Sequence, residues 1–149
     1  MQKIVSLSVA LGILISAALP AQARNETFML PIDAALKATT LATKPDGSVK
    51  FYFGKQATPA VEELIHTDVI SKKVRFSGTA DVEACNEALV SSLTELQERT
   101  RKMGGNAVIN IVSYYKKTEM SSETRFECHA GTSSVVFFLK ADIAKVADK

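Results

Sequence analysis

Two cysteines and two histidines are the whole supply of thiol and imidazole in this chain of 149 residues. That scarcity excludes the familiar zinc arrangements, since neither C-x-x-C nor H-E-x-x-H occurs. The G-x-S-x-G turn that presents a nucleophilic serine is also absent. Gly54-Lys55 carries the Gly-Lys pair of a phosphate-binding loop. However, no glycine stands five positions before Gly54, and Gln56 replaces the Ser or Thr that would hold magnesium, so a nucleotide P-loop is excluded. The serine pairs Ser91-Ser92, Ser121-Ser122 and Ser133-Ser134 have no histidine placed to activate them. The adjacent carboxylates Glu62-Glu63 read as a solvated turn or short helix and not as a two-carboxylate hydrolase site. Internal repeats and low-complexity linkers are lacking. The catalytic inventory is empty, and an enzyme is not expected.

Long apolar runs are lacking too, with one exception. Met1 to Ala23 has an early cation, Lys3, an apolar stretch from Ile4 to Pro20, and "AQA" at Ala21 to Ala23. This is the pattern of a secretory signal peptide ending in an A-x-A site, with cleavage expected between Ala23 and Arg24. The apolar stretch is shorter than the ~20 residues a membrane span needs, and no second one follows. The junction carries no cysteine to accept a lipid, so no membrane anchor is expected after signal removal. The expected mature chain, periplasmic or secreted, is a single domain over residues 24–149. Without Lys3 it has 17 Lys and Arg against 16 Asp and Glu. Such a balance argues against a dedicated nucleic-acid partner, and the basic clusters Lys72-Lys73-Arg75, Arg99-Arg101-Lys102 and Lys116-Lys117 read as solvated faces.

What is present has clear periodicity. In Thr79 to Gly105, Val82, Cys85, Leu89, Leu93, Leu96 and Met103 recur at spacings of three and four, with Thr100 in the one gap. That is the stripe of an amphipathic helix. Acidic Asp81 and Glu83 at its start and basic Arg99, Arg101 and Lys102 near its end suit the helix dipole, and Gly104-Gly105 supplies the stop. Asn106 to Lys117 then reads as a long strand, with Ala107, Ile109, Ile111 and Tyr115 on one face. Its Tyr114 to Lys117 end offers an exposed edge for self-association into a homo-oligomer. Thr124 to Gly131 and Ser133 to Ile143 read as further strands, as do Val49 to Phe53 and His66 to Phe76. Pro31 to Thr43 reads as a shorter helix capped by Asp33. The expected fold is α+β: a two-layer sandwich with one long and one short helix packed on a mostly antiparallel sheet of four to five strands.

The adjacent Cys128-His129 pair can be judged in this frame. Within a strand, neighbouring side chains point to opposite faces, so the two could not share a metal or form a thiolate–imidazole dyad. Phe126, Cys128 and Ala130 share the apolar face, and Cys85 lies on the apolar stripe of the helix expected to cover it. In an exported chain this points to a Cys85–Cys128 disulfide, with buried thiols and a metal or catalytic role as the alternatives. His129 reads as a surface residue on the other face. His66, alone in its segment, is its counterpart as a candidate ligand.

Ala84-Cys85, the run Gly104 to Lys117, Glu127 to Gly131 and the Asp46 to Phe53 strand together resemble a family of small exported proteobacterial proteins. Its members often carry the label "excinuclease ATPase subunit". The missing P-loop excludes the ATPase that this label names. The junction of helix, Gly and "NAV" strand is similar to that in pentameric heavy-metal-binding domains and in the lipoprotein that senses envelope stress for the Rcs phosphorelay. These resemblances imply an α+β fold with a long helix on a sheet, and a place in the cell envelope. The expectation is a non-enzymatic binding or interaction domain linked to envelope homeostasis, needing no cofactor, whose partner is a protein or small ligand. Metal binding is the alternative, and a thiol enzyme the second.

Overall fold

A computed structural model describes residues 23–38, 44–76 and 80–148. The expected signal segment therefore lies outside the described residues, apart from Ala23. The elements run β1 (Glu26–Pro31), α1 (Ile32–Ala38), β2 (Lys50–Phe53), β3 (Val61–Arg75), α2 (Asp81–Lys102), β4 (Ala107–Ser113), β5 (Arg125–Ala130) and β6 (Ser134–Val146). The α+β class is as expected, with two helices on a sheet of six strands. The additional strand is β1. Glu62 and Glu63 lie in β3 and not in a turn or short helix.

β6 is the spine of the sheet. Along one edge it pairs antiparallel with β3 over its full length, from Ser134 opposite Arg75 to Val146 opposite Val61. Its other edge is shared. β5 takes Val135 and Val136, and β4 takes Leu139 to Ala144, both antiparallel. β1 extends the sheet beyond β5, and β2 extends it beyond β4 as the one parallel neighbour. Alternation along β6 sets the layers. Val135, Phe137, Leu139 and Ala141 are buried toward the helices, while Val136, Phe138, Lys140 and Asp142 are half-buried on the opposite, open face.

α2 covers the first face with Ala84, Cys85, Ala88, Leu89, Leu93 and Leu96, all within a few percent of full burial. Each buried leucine contributes about 2 kcal/mol. Val82 and Met103, expected on the stripe, are instead 45% and 46% exposed. They sit in the first turn and at the C-cap position, outside the middle of the helix that packs on the sheet. Thr100 in the gap is fully buried because its hydroxyl donates to the Leu96 carbonyl at 2.7 Å. The helix stops in two reversing hydrogen bonds, Gly104 N–H to Arg101 O and Gly105 N–H to Thr100 O, with Gly104 at φ +79°. Gly105 has a separate reason to be glycine. A Cβ there would meet the Ala144 carbonyl oxygen and Thr100 Cγ2, each at 2.9 Å.

Asp33 is not the cap of α1. It sits inside the first turn, where its charge still complements the dipole. The strand after α2 ends at Ser113, and Tyr115–Lys117 form a 3₁₀ turn with Lys116 and Lys117 at positive φ. The expected edge at Tyr114 to Lys117 is therefore not a strand. A bulge at Asn110, φ +52°, also overturns the expected alternation. Val108 and Ile111 both enter the core under α2, whereas Ala107 and Ile109 join Ala144, Val146 and Tyr52 in a separate cluster.

Charges fasten β3 to α2. Lys72 bonds Glu95, Glu95 bonds Arg99, and Arg99 bonds Asp68 at 2.5 Å. The Lys72 bond holds the Glu95 carboxyl below the usual carboxylate range, with Arg99 adding to the effect. A depressed carboxylate stabilises the fold above its unfolded value of about 4.3, and that contribution is lost as pH falls through the folded value. With Glu95 partly exposed, Glu95→Gln is expected to cost about 0.5–1 kcal/mol at neutral pH. Urea unfolding of both proteins should show this difference shrinking to nothing below the folded value.

Candidate functional site

Cys85 and Cys128 are joined by a disulfide, with Cα atoms 5.9 Å apart and both residues fully buried between α2 and β5. Strand alternation sends His129 to the other face of the sheet, so the adjacent pair does not act together. The structure corrects the surface placement of His129, which is only 6% exposed. Thr27 lies directly opposite it on β1, and Glu127, two residues before it, shares its face. Nδ1 contacts the Thr27 hydroxyl at 3.2 Å, and Nε2 contacts Glu127 Oε1 at 2.5 Å. With the proton on Nε2 facing the carboxylate, the Thr27 hydroxyl donates to Nδ1. The Tyr115 ring lies flat over the imidazole, with ring centroids 3.5 Å apart. Both nitrogens are engaged and one ring face is covered, so this arrangement fastens β1, β5 and the 3₁₀ turn together.

His66 is exposed on β3 opposite Ile143, seven positions along β6 from Val136, the partner of His129. At about 3.3 Å per residue the two histidines are roughly 20 Å apart, too far to bind one ion. Among the described residues, no group of three or more His, Cys, Asp or Glu side chains could hold a metal. Arg24, the residue expected to follow the signal cleavage, is tied into the fold. Its guanidinium bonds Glu26 at 2.7 Å and Asp81 in the first turn of α2. Ala23 before it is exposed.

The structure adds a site that no motif marks. A cleft of about 450 Å³ opens between α1, β2 and the 44–49 segment. Ile32 and Leu36 of α1, Val49, Phe51 and Phe53 around β2, and Leu93 of α2 form its apolar lining, with Asp33, Lys44, Lys50, Gln56 and Glu123 among the polar residues at its rim. Its walls are held by specific bonds. Lys44 Nζ donates to the Leu36 carbonyl at 3.0 Å, at the end of α1. Asp46 N–H donates to the buried Gln97 side chain at 3.0 Å, and the Asp46 carboxylate accepts from Ser48 N–H at 2.9 Å and from Arg101 at 3.1 Å. These contacts set the Lys44 to Gly47 turn against α2. Gln56 accepts from Phe53 N–H at 2.7 Å and donates to the Glu123 carbonyl. The Lys50 backbone N–H donates to the Asn106 carbonyl at 3.1 Å, and its ammonium has no ion-pair partner among the described residues. The volume and the mainly apolar lining are those of small-ligand sites in general. The alternation of Val49, Phe51 and Phe53 was legible in the sequence, as was a shorter helix before it. That the two would leave a gap between them was not. No family model, curated protein or solved structure matches the chain.

Proposed function

We propose that the chain is an exported envelope domain that binds a ligand without transforming it, and that the ligand seats in the α1–β2 cleft. The observation that carries this reading is the cleft itself: half-buried Leu36 and Phe51 stand at its mouth, buried Ile32, Val49, Phe53 and Leu93 form its floor, and the Lys50 ammonium, without an ion-pair partner among the described residues, is at its rim. A compact apolar body with an anionic group is the chemistry that fits. The A-x-A leader, the Cys85–Cys128 bond and the resemblance to exported envelope families support the location. Expression with the native leader in a bacterial host tests that part. An intact mass beginning at Arg24 in the periplasmic fraction is the expected result, and retention of the leader in the cytoplasm would refute it.

For the site, the probe is anilinonaphthalene sulfonate, an apolar ring system with one anionic group. The native protein is expected to bind it saturably at one site. Leu36→Glu is expected to weaken binding at least tenfold by placing a carboxylate in the lining, with the circular dichroism spectrum unchanged. Absence of saturable binding, or equal binding by a folded Leu36→Glu protein, would exclude the cleft.

A further inference from the structure

We infer that β3 is the pairing edge of a two-fold symmetric dimer, in which a second copy of this chain adds its own β3 antiparallel and continues the sheet. β3 is 15 residues long, and β6 occupies only one of its edges. Among the described residues no strand pairs with the other edge, where alternate residues present N–H and C=O groups outward. Long bare edges are ordinarily blunted by proline, bulges or a covering segment. Here the segment contains no proline. Its two register shifts fall between Val61 and His66, leaving His66 to Arg75 regular. Beside the edge, on the open face of the sheet, Val61, Leu64 and Val69 are 43%, 63% and 49% exposed.

Charge identifies the occupant. The two helix-facing charges of the strand, Asp68 and Lys72, are consumed internally by Arg99 and Glu95. The remaining ones are exposed, have no partner among the described residues, and are sorted by sign. Glu62 and Glu63 stand at the start of the strand, and Lys73 and Arg75 at its end. A parallel copy would set like charges side by side. An antiparallel copy sets the acidic end of each strand against the basic end of the other, twice over, as a two-fold interface requires. The backbone bonds and the apolar side chains supply adhesion, while the charges set direction and exclude wrong partners.

Light scattering and analytical ultracentrifugation of the mature protein are expected to give twice the monomer mass. Lys73→Glu/Arg75→Glu makes both ends of β3 acidic, and Glu62→Lys/Glu63→Lys makes both ends basic. Each double variant is expected to weaken self-association by roughly tenfold or more. An equimolar mixture of the two should recover the dimer as a mixed species, because the acidic strand meets the basic one at both ends. All four positions are exposed, and circular dichroism checks that each variant is folded. A monomeric or higher-order native protein would overturn the inference, as would a dimer indifferent to either double variant, or a mixture that stays monomeric.

Discussion

Reduction of the Cys85–Cys128 bond is expected to remove about 4 kcal/mol of stability, the loop-closure entropy of a cross-link across roughly 44 residues. The two cysteines are 43 positions apart, so the loop they close takes in most of α2, all of β4 and the path back to β5. With an unfolding entropy typical of a domain this size, the loss corresponds to a fall in melting temperature of about 15 °C. Both cysteines are fully buried, so reductant should act slowly on the native protein and quickly in denaturant. Cys85→Ala/Cys128→Ala should lose at least as much, since it removes the cross-link and also leaves a void between helix and sheet. Thiol titration of the unfolded, unreduced protein should find none, whereas two reactive thiols would refute the bond. Thermal scans with and without reductant measure the cost.

Phe126→Ala is expected to cost about 3–5 kcal/mol, the penalty for emptying a fully packed aromatic site. Phe126 is 1% exposed and meets Phe137 edge-to-face, with ring centroids 5.6 Å apart and planes at 89°. This pair joins β5 to β6 where the two strands share only the short pairing at Val135 and Val136. Phe126→Leu should cost about 1 kcal/mol, because most of the volume is kept. A double-mutant cycle with Phe137→Ala should show a coupling of about 0.5–1.5 kcal/mol. Phe126 lies two residues from Cys128 on the same face, so its effect should not simply add to that of reduction. For a domain whose total stability is on the order of 10 kcal/mol, either change alone is a large fraction. Urea denaturation of the three single variants and the Phe126→Ala/Phe137→Ala double, oxidised and reduced, would measure both effects and their coupling.

The elements that could be read in advance are those whose evidence is local. α2 announces itself through Cys85, Leu89, Leu93 and Leu96, and its stop through Gly104-Gly105, because periodicity and capping depend on residues within a turn or two. β1 gave no comparable signal. It is an edge strand in which only Phe28 and Leu30 are half-buried and Met29 is exposed, so its identity depends on β5 beside it. The Asn110 bulge was equally silent, since one inserted residue exchanges faces without changing composition. His129 looked superficial because nothing nearby in sequence covers it. Its cover, Tyr115, is 14 residues away, and Thr27 more than 100.

The sequence by itself determined the two layers and the convergence of the two cysteines on the interface between them. Each of these follows from side-chain periodicity or alternation within one element. Only the tertiary structure decided which elements leave space between them and which edge stays bare. The α1–β2 cleft exists because the Lys44 to Gly47 turn is braced on Gln97 and Arg101, and β3 keeps a free edge because, among the described residues, every other strand of the sheet lies on the far side of β6. Those outcomes are settled by contacts between residues tens of positions apart, and no local pattern encodes them.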